Sequence, residues 1–261
     1  YSLIAGTYMQ AIMLAAGVGS RLYGDTDTQP PKCLLKFDGK TLLRRHIEIL
    51  YDLGFAGLTL VLGYRKDEIL AEASQVQRDI GADGFVNHVV NPDYRLGTVV
   101  SMHTAKSVLS GGTDVLMMDA DVLYTRTLIE QLLNSPHANC LLVDRNLEPG
   151  DEPVKVCIEN KTIVNFGKII PRTYETMGEW PGFMKLSPGI ARRMVEACAA
   201  IIGAGRPEQP CEDAIYDVLM AEPGVFGFED VTGEPWIEID FPEDLDRAKD
   251  VILPKLEKAV A

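Results

Sequence analysis

Positive charge is scarce in this sequence. Lys and Arg number 25 against 38 Asp and Glu, a formal net charge of -13, which excludes a nucleic-acid partner because a phosphate backbone is gripped through many basic contacts. Any anionic ligand must be held locally. Long apolar runs are missing too: nothing approaches the roughly 18 consecutive apolar residues of a membrane helix, and no basic region with an apolar run and cleavage site opens the chain. A soluble, cytoplasmic protein without a membrane partner is expected. Cysteine is sparse and scattered: Cys33, Cys140, Cys157, Cys198 and Cys211 contain no CxxC pair, which fits reduced thiols rather than a zinc site or a disulfide framework. His46, His88, His103 and His137 show no spacing for a triad or a metal site, and no chemistry is assigned to them.

What is present is enough apolar material for a core, 46% hydrophobic side chains over 261 residues, as an ordinary α/β domain requires. One domain over 9–261 is expected. Residues 1–8 precede Met9 and read as a remnant or dispensable leader. Short apolar runs alternate with amphipathic stretches of helical length, the pattern of a parallel sheet with crossover helices. Strands are predicted at Gln10–Leu14, Leu58–Leu62, Phe85–Val90, Val115–Met118 and Ala138–Val143. Helices are predicted at Thr41–Leu53, with Thr41 as N-cap and Gly54 beyond its end, and at Asp67–Val76, Val99–Leu109 and Thr127–Leu133. A β-rich, substrate-side elaboration is expected at about 144–190, with a hairpin turning at Asn160-Lys161. Helical patterns return at Pro188–Ile202 and Glu212–Met220, followed by a strand at Trp236–Ile239 and a closing helix from Pro242. The predicted class is a three-layer, Rossmann-like α/β fold, a mostly parallel mixed sheet with helices on both faces.

One window reverses the overall charge. From Ser20 to Arg45 six basic residues face three acids. It begins where the first strand runs through Leu14 into Ala15-Ala16-Gly17-Val18-Gly19-Ser20-Arg21, and Lys32 follows behind Pro30-Pro31. Small residues after a strand let backbone N–H groups approach an anion, while Arg21 and Lys32 add charge where a triphosphate would lie. Both side chains are expected in solvent-accessible loop. Two other glycine loops fail on spacing: a dinucleotide fingerprint needs glycine where Leu22 stands, and a Walker loop ending at Gly39-Lys40-Thr41 needs one in place of Leu34.

The segments L-A-A-G-x-G-S-R-L and P-K-C-L-L together resemble the signature of the sugar-nucleotidyltransferase superfamily. Leu96-Gly97-Thr98 resembles its L-G-T segment near the nucleotide, Asp119-Ala120-Asp121 its magnesium aspartate at a strand end, and Phe166-Gly167-Lys168 its lysine on the acceptor phosphate. Asp151–Val156, Gly178–Phe183 and Trp236–Leu245 look like the compact cytidylyltransferase branch that activates phosphocholine or 2-aminoethylphosphonate. The chain stops soon after its last helix, which also sets that branch apart from members with a long C-terminal β-helix. The resemblance implies CMP transfer from CTP to a small phosphate or phosphonate acceptor with Mg²⁺, pyrophosphate leaving.

Magnesium prefers hard oxygen donors, and Asp121 and Asp240 can supply them from two strand ends, with Asp119 and Glu238 in reserve. For Asp119 and Glu238 a helix cap or a solvated turn is an equal reading. Arg21, Lys32 and Lys168 are the expected catalytic cations, and Lys155 is a further candidate at the acceptor. For a cationic acceptor, Tyr174, Glu179, Trp180, Glu212 and Asp213 are candidates, since an ammonium group is served by an aromatic face with carboxylates; Trp180 is as readily a core residue, and Glu212-Asp213 a complement to a helix N-terminus. Two alternatives stay open, a sugar- or polyol-1-phosphate nucleotidyltransferase using CTP, UTP or dTTP and a catalytically silent nucleotide-binding module. Homo-oligomerisation is compatible with the composition.

Overall fold

Successive side chains of a strand face opposite sides, and in the strand Gln10–Ala15 (β1) this sends Ala11 and Met13 into one core and Ile12 into another. The same split recurs at Leu58, Leu60 and Leu62 against Val61, and at Leu116 and Met118 against Val115 and Met117. A sheet covered on both faces results. The computed structural model describes residues 8–24, 28–147 and 152–260, with side chains to 256. Residues 1–7 of the expected leader, Asp25 and Asp27 of the basic window, and Asp151 lie outside the described residues.

After β1 come the single turn α1 (Ser20–Tyr23), a hairpin of β2 (Lys36–Phe37) and β3 (Lys40–Thr41), and α2 (Leu42–Asp52). Then follow β4 (Gly57–Leu62), α3 (Lys66–Ile80), β5 (Val86–Val90), α4 (Thr98–Thr104), α5 (Lys106–Leu109), β6 (Val115–Asp119), β7 (Val122–Tyr124), α6 (Arg126–Asn134) and β8 (Cys140–Val143). The second half holds β9 (Lys155–Glu159), β10 (Thr162–Gly167), β11 (Thr176–Glu179), β12 (Phe183–Leu186), α7 (Pro188–Gly203), α8 (Cys211–Ala221), β13 (Gly227–Asp230), β14 (Trp236–Glu238), α9 (Pro242–Arg247) and α10 (Leu253–Val260).

The central sheet has seven strands in the order β13-β8-β12-β6-β1-β4-β5, parallel except for β12. Helices α2, α3 and α6 cover one face and α4, α5, α7 and α8 the other. This is the mostly parallel, Rossmann-like class expected from the sequence. The side chain of Thr41 caps α2 by accepting a hydrogen bond from the Arg44 amide at 3.0 Å. The predicted helix over Val99–Leu109 is instead two, broken at Ala105. Thr104 donates from Oγ1 to the Val100 carbonyl at 2.8 Å, a back-bond that bends helices.

The segment 144–190 divides. β9, β10 and β11 form a separate antiparallel sheet, turning at Asn160 and Lys161, both with positive φ. β12 returns to the central sheet between β6 and β8. Its sequence, F-M-K-L, hides this, because Lys185 is buried among apolar neighbours and donates its ammonium to the Ser135 carbonyl at 3.0 Å. No helix among the described residues is long and apolar enough to cross a membrane.

Candidate active site

Parallel strands aim their carboxyl ends the same way, and a crevice beyond those ends is where open α/β sheets bind ligands. Here β1 and β6 are hydrogen-bonded neighbours, so the loop after Ala15 and the bend after Asp119 meet at one edge. Gly19 has φ 75°, and a Cβ there would stand 3.1 Å from Lys32 Cγ. The second glycine of the loop therefore serves twice: it takes a left-handed turn that starts α1, and it lets the stem of Lys32 cross beneath. The loop and the distant lysine form one unit. Ala15, Gly17, Ser20 and Arg21 line the resulting cleft, as do Leu14, Ala16 and Gly19, whereas Val18 does not.

The acids arrive from two strands. β14 runs antiparallel to β7 with Glu238 opposite Val122, and the Ile239 amide donates to the Asp121 carbonyl at 3.0 Å. This ribbon brings Asp121, Glu238 and Asp240 together with carboxylate oxygens within 4.8 Å of one another. The set suits a hard divalent cation, because all three donors are oxygen and their like charges need an offset. In the structure Lys32 Nζ lies 3.0 Å from Asp121 and 2.5 Å from Asp240, and Arg21 lies 2.9 Å from Asp240. Burial alone would lower the Lys32 pKa; Asp121 and Asp240 outweigh it and hold the ammonium above its ordinary range. Burial, then the charges of Asp121, Asp240 and Asp119, pushes Glu238 well above the usual carboxylate range. Asp119 is raised likewise, by burial and then by Asp121, Glu212 and Asp240. It lines the cleft but stands outside the group of three.

A stability prediction follows from Glu238. A carboxyl with a raised folded pKa contributes most below its unfolded pKa of about 4.5, and the contribution is lost as pH rises toward the folded value. Glu238→Gln removes that loss. In the presence of a chelator the variant is expected to be more stable than the parent by about 1 kcal/mol, about 2–4 °C in Tm for a chain of this size. The gap should be wider at about pH 8 than at about pH 5. Thermal melts at both pH values check this, and a variant no more stable at the higher pH would show that the three acids do not strain the metal-free protein.

Lys168 lines the cleft from just beyond the end of β10 and pairs with Glu152 at 3.0 Å; the same carboxylate binds Arg21. Glu152 thus links the glycine loop to the added sheet. The sequence did not single it out, and its only signal was its place beside Pro153 in the D-E-P-V-K segment. Lys155 does not enter the cleft. Its ammonium donates to the carbonyls of Pro153 and Lys168 at 3.2 and 2.7 Å, so it braces the backbone that carries Lys168.

The structure separates the residues expected around a cationic acceptor. Trp180 is only 4% exposed, donates from Nε1 to the Phe183 carbonyl, and packs edge-on against Phe166, contributing to the cleft wall from within the core. Tyr174 is not brought to the cleft: the Arg172 guanidinium covers its ring at 4.0 Å and its hydroxyl accepts from Asn165. Glu179 faces an adjacent cavity with Asp144, Glu152, Trp236 and Phe241. Glu212 lines the first cleft from the first turn of α8, and Asp213 does not. Thr98 lines it too, and its Oγ1 accepts from the Cys211 amide at 2.8 Å. Gly97 is required by packing: a Cβ there would meet the Gln209 carbonyl oxygen at 1.9 Å.

A glycine loop at the end of the first strand, two cations behind it and a carboxylate group at the end of the central strand define a nucleotidyltransferase of the Rossmann-like class. Residues 11–168 match the MobA-like NTP transferase domain, and the chain belongs to that family. It is similar to a bifunctional IPC transferase and DIPP synthase of Rubrobacter xylanophilus, 29% identical over 93% of this chain and 52% of the relative. It is also similar to a CMP-5'-(3-aminopropyl)phosphonate synthase of Streptomyces rubellomurinus, 23% identical over 90% of this chain and 37% of the relative. The chain thus spans about half or less of the length of these two curated relatives. The inositol-1-phosphate CTP transferase of T. maritima shares the fold, with a TM-score of 0.72, 21% identity, and coverage of 98% and 99% of the two chains.

Proposed function

We propose that the protein is a Mg²⁺-dependent cytidylyltransferase that moves CMP from CTP to a small phosphorylated or phosphonylated amino alcohol, of the phosphocholine or 2-aminoethylphosphonate type, and releases pyrophosphate. The observation that carries this reading is the convergence of Arg21, Lys32 and Lys168 on one cleft that Asp121 and Glu238 also line, with Asp240 of the same acidic group paired to Arg21 and Lys32. Two anions can be brought together only where cations hold both.

In this reading an acceptor oxygen attacks the α-phosphorus of CTP in line. No general base is needed, because a phosphate monoester has a second pKa near ~6 and is already ionised at neutral pH. Arg21 and Lys32 would bind the triphosphate, and Lys168 would orient the acceptor. Mg²⁺ held by Asp121, Glu238 and Asp240 would supply further charge at the phosphates. For each cation to reach phosphate, its present carboxylate partner must be exchanged for substrate oxygen, so the network in the structure keeps the basic side chains ordered until substrate arrives. A catalytically silent module would have no reason to retain all three cations.

The acceptor is the finer part of the proposal. The cavity beyond Glu152 combines Glu179, Asp144, Trp236 and Phe241, the chemistry that suits an ammonium group. The aminopropylphosphonate relative favours the same acceptor class, while the inositol phosphate enzyme of the same fold represents the polyol-1-phosphate alternative. Phosphocholine and 2-aminoethylphosphonate are expected to exceed inositol 1-phosphate and glucose 1-phosphate in kcat/KM. Glu179→Gln should narrow the gap by about tenfold, since a hydrogen bond to a charged group contributes about 1.5–3 kcal/mol. Pyrophosphate release over a matrix of nucleoside triphosphates and acceptors measures both. Equal or better use of the uncharged acceptors would transfer the proposal to the polyol or sugar phosphate reaction, and the silent-module reading would take over if no pair supported turnover.

A further inference from the structure

Among the four histidines one is wholly enclosed. His46 lies on the buried face of α2, where the surrounding positions Leu42, Leu43, Ile47 and Leu50 are apolar. An imidazole in such a place is costly unless both ring nitrogens are partnered. Both are. Nε2 lies 3.1 Å from the Ala120 carbonyl oxygen and Nδ1 lies 3.2 Å from the Tyr124 hydroxyl. A carbonyl can only accept, so Nε2 carries the proton; in the neutral ring Nδ1 then accepts, and the Tyr124 hydroxyl donates to it. Burial lowers the imidazole to about 4, which keeps the ring neutral.

The two partners bracket the chain at a telling place. β6 ends at Asp119, whose amide donates to the Gly182 carbonyl, and β7 begins at Val122 in the ribbon with β14. Ala120, only 4% exposed, sits where the chain leaves one ladder and enters the other. A carbonyl buried at such a break needs a donor from elsewhere. The His46 ring also stacks on Tyr124, with centroids 5.3 Å apart, and Tyr124 in turn packs edge-on against Phe183 of β12 at 4.7 Å. One imidazole therefore holds both ends of the stretch Ala120–Tyr124, and that stretch carries Asp121.

We propose that His46 is a positioning residue for the nucleotidyl transfer: its Nε2–H bond to the Ala120 carbonyl, with Nδ1 held by the Tyr124 hydroxyl, fixes the bend that points Asp121 toward Asp240 and Lys32. The inference rests on the proposed role of the Asp121, Glu238 and Asp240 group, since it assigns a supporting part to a residue that touches neither substrate nor metal.

Three variants of the full chain test it: His46→Leu, which fills the space without a donor; His46→Gln, whose amide nitrogen can reach the Ala120 carbonyl; and Tyr124→Phe, which leaves Nδ1 without its donor and loosens the ring. Pyrophosphate release is titrated with Mg²⁺, Mn²⁺ binding is measured without turnover, and Tm is recorded for each. His46→Leu is expected to lose about 10–100-fold in turnover and to need severalfold more Mg²⁺ at half-saturation, as when a group supporting a metal ligand is lost. The nucleotide KM should stay within about twofold. His46→Gln should recover most of the loss and Tyr124→Phe should fall between. If His46→Leu does not fold, the contrast of Tyr124→Phe and His46→Gln with the parent decides. Folded variants with Mg²⁺ and Mn²⁺ dependence unchanged, or a loss that tracks Tm alone in all of them, would overturn the positioning role. Asp121→Asn, run alongside, keeps the two readings apart: if it too retains parental activity and metal dependence, the proposed metal group fails; if it is crippled while the His46 variants are not, only the inference fails.

Discussion

Replacing Lys32 by alanine is expected to lower kcat/KM by a hundredfold or more, and to destabilise the metal-free protein as well. The catalytic part is the loss of one placed electrostatic contact in a partly dehydrated cleft, about 3 kcal/mol at the transition state. The second part comes from the structure. The loop sequence suggests solvent-accessible side chains for both Arg21 and Lys32, yet Arg21 is 41% exposed and Lys32 only 12%. Lys32 bridges Asp121 and Asp240, so its removal leaves two part-buried acids beside Glu238 without their main offset. Breaking such a pair from one side costs on the order of 3 kcal/mol. Mg²⁺ should restore much of that stability without restoring turnover. Arg21→Ala should match the kinetic loss but change Tm little, since exposed ion pairs contribute about 0–1 kcal/mol. Steady-state kinetics and melts with and without Mg²⁺ read both effects, and near-normal rates in a folded Lys32→Ala protein would remove the loop from the proposed mechanism.

Asp121→Asn and Asp240→Asn are expected to abolish most turnover, on the order of a hundredfold each, because an amide keeps the shape and loses the charge that holds a divalent cation. Chelator should silence the parent enzyme and Mg²⁺ should revive it. The structure ranks the carboxylates beyond what their spacing allows. Asp240 pairs with both Arg21 and Lys32, so its loss also removes one anchor from each of two cations, and Asp240→Asn should be the more damaging of the two. Between the two reserves, Glu238 lies within the group and Asp119 outside it, so Glu238→Gln should impair Mg²⁺ response more than Asp119→Asn. Full activity of the parent in chelator would reject the metal; equal damage from Asp119 and Glu238 would reject the ranking.

Much of the candidate site was readable in the sequence, where its loop and cations lie in short motifs beside strong strands. The run from Leu14 to Arg21 starts in the last two residues of β1 and continues straight out of it, and Lys32 follows its own proline pair, so local pattern and local structure agree. The amine candidates fared differently. Tyr174 and Glu179 are five residues apart in the chain, but one lies beneath Arg172 and the other faces the cavity beyond Glu152. Closeness in sequence across a loop does not set where side chains point, and Tyr174 turns to Arg172 and Asn165 instead of the cleft.

By itself the sequence determined the class of fold and marked the glycine loop with its two cations, because short apolar runs alternating with amphipathic stretches mark strands and crossover helices, and glycine after a strand permits a left-handed turn. Only the tertiary structure decided which acids form one group, that Glu152 joins Arg21 to Lys168, and that β12 threads the central sheet. Each of these joins segments far apart in the chain, as Asp121 and Asp240 are joined by the pairing of β7 with β14. A three-residue strand has almost no pattern of its own, and its partner is chosen by the packing of everything around it.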